Sequence, residues 1–485
     1  MKLKPLYSFF RRIYWKIILS EKFFAYSEKN NFFTDKKQNV LIEAAQVSSS
    51  TRVINALLQK GYDINEADDE GYTPIMHAAT RNKSVKVLET LLQNGADLHK
   101  TSPQGLPPLI MAAHKNANPD IVATLIRYGA NPNVKSQGGE MTPMIAVLFN
   151  PSPKKVIAKL IENGADPNIT DIDGNTPLII AIGIDLFFIR ILIFINKAPN
   201  LDLNLQNNAG QSPLALAVCN PSEEMMKITK ILIKRGADVN AKNKTDGSTP
   251  LMCAVRKLNV NAVKLLLKKG ADVNAADKDG KTPLMHAVYA AGTRFFRTEY
   301  IPRDNPPGYS RTFRQALKIA RLLIKKGADV NKALNDGKTP LLVSAAIHPY
   351  PHFMKLFIKH GADVNAKDDL GETALSLMSM FFKNPDVAKL LIKHGADVHA
   401  RNKGGRTPLI CACVGFGHPK PSVIKLMIAK GADINAKDND GKTALEYVKD
   451  DSWELIYPKI LKELISLLTP ADYQVIRKQN EQKKV

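Results

Sequence analysis

Recognisable catalytic motifs are missing from this sequence. It has no glycine-rich phosphate loop, no HExxH, no GxSxG and no CxxC; those spacings place a phosphate, a zinc ion, an acylated serine or a redox pair. Cysteine is scarce, with four in 485 residues. Cys219, Cys253, Cys411 and Cys413 show neither disulfide-framework nor zinc spacing, and read as small buried apolar residues of a reducing compartment. Long apolar runs are also absent. The longest candidate, 179–195, is interrupted by Asp185 and Arg190 and stops short of the ~18 residues that span a bilayer. It reads as a buried helix. The ten histidines have no metal-ligand pattern, and the fragments DKDG and DNDG lack the closing glutamate of a calcium loop. No cofactor, no metal and no enzymatic activity are expected.

Acids are short relative to bases: 46 Asp and Glu against 68 Lys and Arg, a net charge of +22. Such a surplus invites nucleic acid. Its make-up argues otherwise, because 51 of the bases are lysines and many directly precede a turn glycine, as Lys268-Lys269, Lys325-Lys326 and Lys359 do. There they complement the negative end of a helix dipole. A nucleic-acid partner is therefore disfavoured.

What the chain has in abundance is one phrase. Residues 268–287 read KKGADVNAADKDGKTPLMHA, and close copies begin at Gly95, Gly129, Gly164, Gly236, Gly327, Gly361, Gly395 and Gly431. The threonine-equivalent positions are Thr73, Pro107, Thr142, Thr176, Ser212, Thr249, Thr282, Thr339, Thr373, Thr407 and Thr443, mostly 33 to 37 residues apart. A fixed period of this length specifies a repeat architecture in which each unit buries its face against the next. A degenerate first unit, with helices expected at 40–45 and 53–60, brings the total to about twelve. Within the phrase, Thr282 suits a helix N-cap and Pro283 the first helical position. Leu284 and Ala287 face inward, and Gly270 ends the second helix in a left-handed turn.

The Gly-x-Thr-Pro-Leu, Leu-Leu-Leu and Gly-Ala-Asp-x-Asn segments closely resemble the ankyrin repeat over residues 39–468. The resemblance implies an all-α solenoid of helix-turn-helix units joined by hairpin loops. It implies protein binding on the face made by hairpin tips and first helices. The histidine usual after Thr-Pro-Leu is replaced by Met76, Ile110, Ile145, Ile179, Met252, Met285, Leu342 and Ile410, which predicts apolar packing in place of a polar network. His77 and His286 fall one position later. Ala198-Pro199-Asn200 stands where Lys-Lys-Gly is usual, so a local kink is expected there.

Three segments depart from the array: an aromatic and basic extension, 1–38; an insertion at 289–314; and a polar tail, 469–485. The insertion follows from one threonine spacing of 57 and carries five of the 17 arginines and six aromatics. Arginine and aromatics dominate interface energetics. Arg294, Phe295, Phe296, Arg297, Tyr300, Arg303, Tyr309 and Arg311 are therefore candidate partner contacts. The tip residues Lys278, Lys367, Arg401, Lys403 and Lys437, which differ between copies, join them.

The functional expectation is a monomeric, non-enzymatic scaffold for a protein partner. Two alternatives stand beside it: an adaptor held at a membrane surface by residues 1–26, and a host-directed effector of an intracellular microbe. The corresponding locations are the cytoplasm or, after export, a host cell.

Overall fold

The computed structural model describes residues 37–184, 188–198, 200–292, 311–347, 351–381, 384–414, 419–450 and 458–469. Among the described residues there are 24 α-helices and no strand. They belong to two compact units, Met1–Pro213 and Leu214–Val485.

The first unit contains α1 (Lys37–Val47), α2 (Thr51–Gln59), α3 (Pro74–Arg81), α4 (Val85–Gln93), α5 (Pro108–Lys115) and α6 (Pro119–Arg127). It continues with α7 (Pro143–Ala146), extended by the 3-10 turn Val147–Phe149, then α8 (Pro153–Glu162), α9 (Pro177–Gly183) and α10 (Phe188–Lys197). The second begins with α11 (Pro213–Cys219), α12 (Glu223–Lys234), α13 (Pro250–Arg256), α14 (Val260–Lys268), α15 (Pro283–Gly292) and α16 (Arg311–Lys325). It ends with α17 (Pro340–Ile347), α18 (His352–Lys359), α19 (Ala374–Phe381), α20 (Pro385–Lys393), α21 (Pro408–Val414), α22 (Pro421–Ala429), α23 (Ala444–Asp450) and α24 (Pro458–Leu468).

The helices alternate as first and second members of each repeat, and the recurring phrase explains their ends. The hydroxyls of Thr142, Thr176 and Thr282 accept from the backbone N–H three residues on at 3.2, 3.2 and 3.4 Å. Proline then opens the helix where no N–H is needed. Thr73 differs: its hydroxyl is buried without a partner. Ile75, Ala78, Leu88, Leu91, Leu284 and Ala287 are fully buried. Each buried aliphatic side chain of leucine size contributes about 2 kcal/mol, so helix faces supply the driving force for stacking. All eight replacements of the usual histidine are at most 2% exposed, as apolar packing requires.

Polar side chains set the register. In the first unit a file of buried asparagines runs through the helix connections. Asn82 Nδ2 donates to Ala45 and Ser48 carbonyls at 2.7 and 2.8 Å. Asn116 repeats this toward Ala79 and Asn82, and Asn150 toward Ala113 and Asn116. Arg190 takes the next place, reaching Leu148 and Asn150 carbonyls at 2.8 and 2.7 Å. A second set of amides links the turns. Asn133 donates to the Gly164 carbonyl at 3.1 Å and accepts from Asp166 N–H at 2.8 Å; Asn65, Asn240, Asn274, Asn331 and Asn365 form the same two-bond clamp. Asn168 clamps Asn200 O and Asp202 N–H, both at 2.8 Å. The link is therefore kept where asparagine replaces the turn glycine, and α10 ends at Lys197 before the proline.

Two readings are revised. The apolar segment 179–195 contributes to two helices, α9 and α10, and Ile184 and Ile189 are exposed. The insertion is partly helix: residues 289–292 lengthen α15 and 311–314 open α16. Phe313 is 1% exposed and packs edge-on against Phe353 at 5.5 Å, so this aromatic belongs to the core.

One backbone feature is costly. Leu258, between α13 and α14, has φ 56°, among the described residues the one non-glycine position in the left-handed region. An L-residue there loses roughly 1–2 kcal/mol. Leu258→Gly should raise the urea midpoint of unfolding, corresponding to about 1 kcal/mol; an unchanged or lower midpoint would show that the Leu258 side chain offsets the strain.

Candidate partner-binding face

In the second unit, from Lys278 onward, each hairpin tip is tied to the tip before it by one backbone bond, made four residues before the threonine position. Lys278 N–H donates to Asp246 O at 2.9 Å, Asp369 to Asp336 O at 3.0 Å, Lys403 to Leu370 O at 2.8 Å and Asn439 to Gly404 O at 3.0 Å. The main chain makes this link, so the side chain at that position is free to differ between copies. That accounts for the Lys, Asn and Asp found there.

Several of the candidate side chains add lacing of their own. Lys278 Nζ donates to the Lys244 carbonyl at 3.0 Å, and Lys367 Nζ to the Arg401 carbonyl at 3.1 Å. The Arg401 guanidinium donates to Gly405 O at 2.8 Å and Lys437 O at 2.6 Å. Lys403, Lys437 and Arg311 are exposed. Arg294, Phe295, Phe296, Arg297, Tyr300, Arg303 and Tyr309 lie outside the described residues, as do residues 1–36, with the proposed membrane segment, and 470–485. The structure thus brings Lys367, Arg401 and Lys437 into one row of adjacent tips. Lys278 lies two tips before Lys367, and Arg311 sits on a helix.

The first helices connect to the tips through a contact that the sequence reading missed. His77 Nε2 is 2.8 Å from Asp68 Oδ2, and His286 Nε2 is 2.9 Å from Asp277 Oδ2. Tyr447 holds the equivalent position and donates to Asp438 Oδ2 at 2.6 Å. Each pair is nine residues apart, from the hairpin base to the first helix. The units at Thr73 and Thr282 therefore do not lack a polar network, as the loss of the usual histidine suggested. They rebuild one from the next helical position. Burial lowers the His286 pKa despite the attraction of Asp277, leaving a neutral ring whose Nε2–H donates to the carboxylate. Burial pushes Asp438 the other way, but bonds from Tyr447, the Lys442 and Asp440 N–H groups and Arg406 outweigh it and hold the carboxyl below its ordinary value. Arg406 also stands over the Tyr447 ring, 5.5 Å from its centre.

Among the described residues no three His, Cys, Asp or Glu side chains are grouped to hold a metal, and no helix is long and apolar enough to cross a membrane. What the face offers is a row of side chains on backbone-linked supports, a geometry suited to recognition.

A family model described as ankyrin repeats in three copies matches residues 21–102, 41–136, 143–243, 223–296, 312–402 and 375–466. Among curated proteins, none matches the chain closely enough to count as a relative. Ankyrin repeats are in general protein–protein interaction modules. With these matches spread over most of its length, and its helix pairs and laced hairpins repeating in register, the chain belongs to the ankyrin-repeat family.

Proposed function

We propose that this protein is a non-enzymatic scaffold that holds an acidic protein partner against its hairpin tips. The row of tip residues Lys367, Arg401, Lys403 and Lys437, on hairpins joined by backbone bonds, carries the reading. A support fixed before binding limits the entropy lost on association, and the net charge of +22 favours encounter with acidic surfaces. The arginine- and aromatic-rich segment 293–310 adds specificity, since arginine and aromatics dominate interface energetics.

Two changes test the proposal in the full-length protein. One is the pair Lys403→Glu and Lys437→Glu; the other replaces residues 293–310 with a short flexible linker, sparing the helical ends and Phe313. Partners captured by the native protein should be lost from the charge-reversed variant and weakened by the loop replacement, with the helical circular-dichroism signal unchanged in both. A folded charge-reversed variant that retains every partner would overturn the assignment to the tips.

A further inference from the structure

The second helices of the unit Leu214–Val485 carry charge of one sign on their exposed side. Count back from the turn glycine that follows each helix. The sixth residue is Lys230, Lys264, Arg321, Lys355, Lys389 and Lys425 in successive repeats, and every one is exposed. The second residue is Lys234, Lys268, Lys325, Lys359 and Lys393, also exposed, with Ala429 in the last of the six. α14, α16, α18 and α22 contain no acid. α12 has Glu223 and Glu224, and α20 has Asp386, all in the first turn. Lys425 is bonded to Glu463 at 2.7 Å; among the described residues, the other ten bases are in no ion pair.

A merely solvated face does not call for this pattern. Residues four apart lie one turn apart on the same side, so five helices each set two like charges together, which weakens a helix. The helix dipole accounts for the bases two before the glycine. It does not account for those a turn earlier, because its influence fades within the last turn. In the first unit the same two positions before Gly61, Gly95, Gly129 and Gly164 hold one base, Arg127, and it pairs with Glu89. The asparagine clamps also hold the helix ends in register. The carbonyls of Gly270, Gly327, Gly361 and Gly395 accept from Asn240, Asn274, Asn331 and Asn365 at 3.2, 2.9, 2.9 and 2.9 Å. Each of these asparagines follows the preceding turn glycine by four residues. The ends of α12, α14, α16, α18 and α20 are thus tied in sequence, and their bases form two rows.

We propose that these two basic rows dock the protein on the surface of a bilayer that contains anionic lipid. Bases near such a surface each add to the attraction. Nine of the ten are lysine, a hydrated point charge that needs no fixed partner geometry, whereas recognition of a nucleic-acid backbone favours the planar guanidinium. A fluid bilayer brings a headgroup to each ammonium wherever it stands. The residues directly after the first row, Ile231, Leu265, Leu322, Leu356, Leu390 and Leu426, are half-buried. Apolar surface therefore accompanies the charges, as suits the boundary between headgroups and acyl chains, where lysine stems lie along it. The rows share no residue with the tips Lys367, Arg401, Lys403 and Lys437, or with residues 1–26.

The test is cosedimentation of the full-length protein with vesicles of phosphatidylcholine alone and of phosphatidylcholine mixed with phosphatidylserine. Binding is expected to the mixed vesicles only. It should be lost on raising salt from about 0.1 to 1 M, which shortens the screening length from about 10 to about 3 Å. The triple variant Lys264→Glu, Lys355→Glu, Lys389→Glu should partition more than tenfold less. Each change puts Glu four residues before a lysine, a favourable order on a helix, so the helical circular-dichroism signal and the urea midpoint should not fall. Lys403→Glu with Lys437→Glu should bind the vesicles as the native chain does. If the native chain ignores phosphatidylserine, the proposal is wrong. It is equally wrong if the folded triple variant binds as well as the native chain, which would move the contact to residues such as 1–26. A loss from the tip variant as large as from the triple variant would point to diffuse net charge and overturn it too. A labelled DNA duplex held more tightly than the vesicles, and released by the triple variant, would reassign the rows to nucleic acid.

Discussion

Asn116→Ala should lower the unfolding free energy of the array by about 3–4 kcal/mol, read from urea denaturation followed by circular dichroism. The side chain is 3% exposed. Its amide donates to the Ala79 and Asn82 carbonyls at 2.9 and 2.8 Å, and its oxygen accepts from Asn118 N–H at 2.9 Å. Alanine removes all three bonds at once. Each buried polar group left without a partner costs roughly 1–3 kcal/mol, with water entering the vacated space recovering part of the sum. The comparison is Asn133→Ala, which breaks two bonds of a turn clamp in an exposed setting. Water replaces those bonds readily, so about 1 kcal/mol is expected there. Equal losses at the two sites would show that burial does not govern the energetics of the asparagine file.

Gly280→Ala should cost about 3–5 kcal/mol, against about 1–2 kcal/mol for Gly270→Ala. Both glycines have positive φ, 82° and 85°, so both substitutions carry the penalty of a left-handed L-residue. Only one adds a collision. A Cβ on Gly280 would stand 2.6 Å from Asn335 Oδ1 and 2.9 Å from Asn335 backbone N, whereas one on Gly270 meets nothing within 4 Å. Asn335 cannot move aside cheaply, because its N–H donates to Asp279 O at 3.3 Å and its side chain to Lys278 O at 2.8 Å. Moving it opens the link between hairpins on either side of the insertion. Paired urea titrations of the two variants measure the difference. A smaller loss at Gly280 would mean that the hairpins yield more than the backbone bonds between them suggest.

These contrasts also separate what the sequence made legible from what it concealed. Thr282, Leu284, Ala287 and Gly270 could be assigned because each acts within its own repeat and recurs at one offset. Asn82, Asn116 and Asn150 recur just as regularly, 34 residues apart, and that spacing was the available signal. It was easily passed over because a polar residue in a short connection reads as an exposed loop, and its burial depends on carbonyls of the preceding repeat. The His77–Asp68 and His286–Asp277 contacts were hidden for a related reason. Nine residues of separation gives no contact on a helix; only the hairpin bend brings those groups together. Lys278 and Lys367 were legible as variable surface positions, but not as rungs between tips.

The clamp at Asn274 has a further consequence for how the insertion is tolerated. Asn240 and Gly270, on adjacent repeats of ordinary length, are 30 residues apart; Asn274 and Gly327 make the same bond across 53. Loop-closure entropy grows only with the logarithm of length, so the longer tether disfavours closure by an extra 0.5 kcal/mol or so, about (3/2)RT ln(53/30). One ordinary hydrogen bond outweighs that. The stack is therefore nearly indifferent to the length of chain leaving α15 and returning to α16. This connection can gain, lose or exchange residues at little thermodynamic cost, and recognition can diversify there while the repeats on either side remain in register.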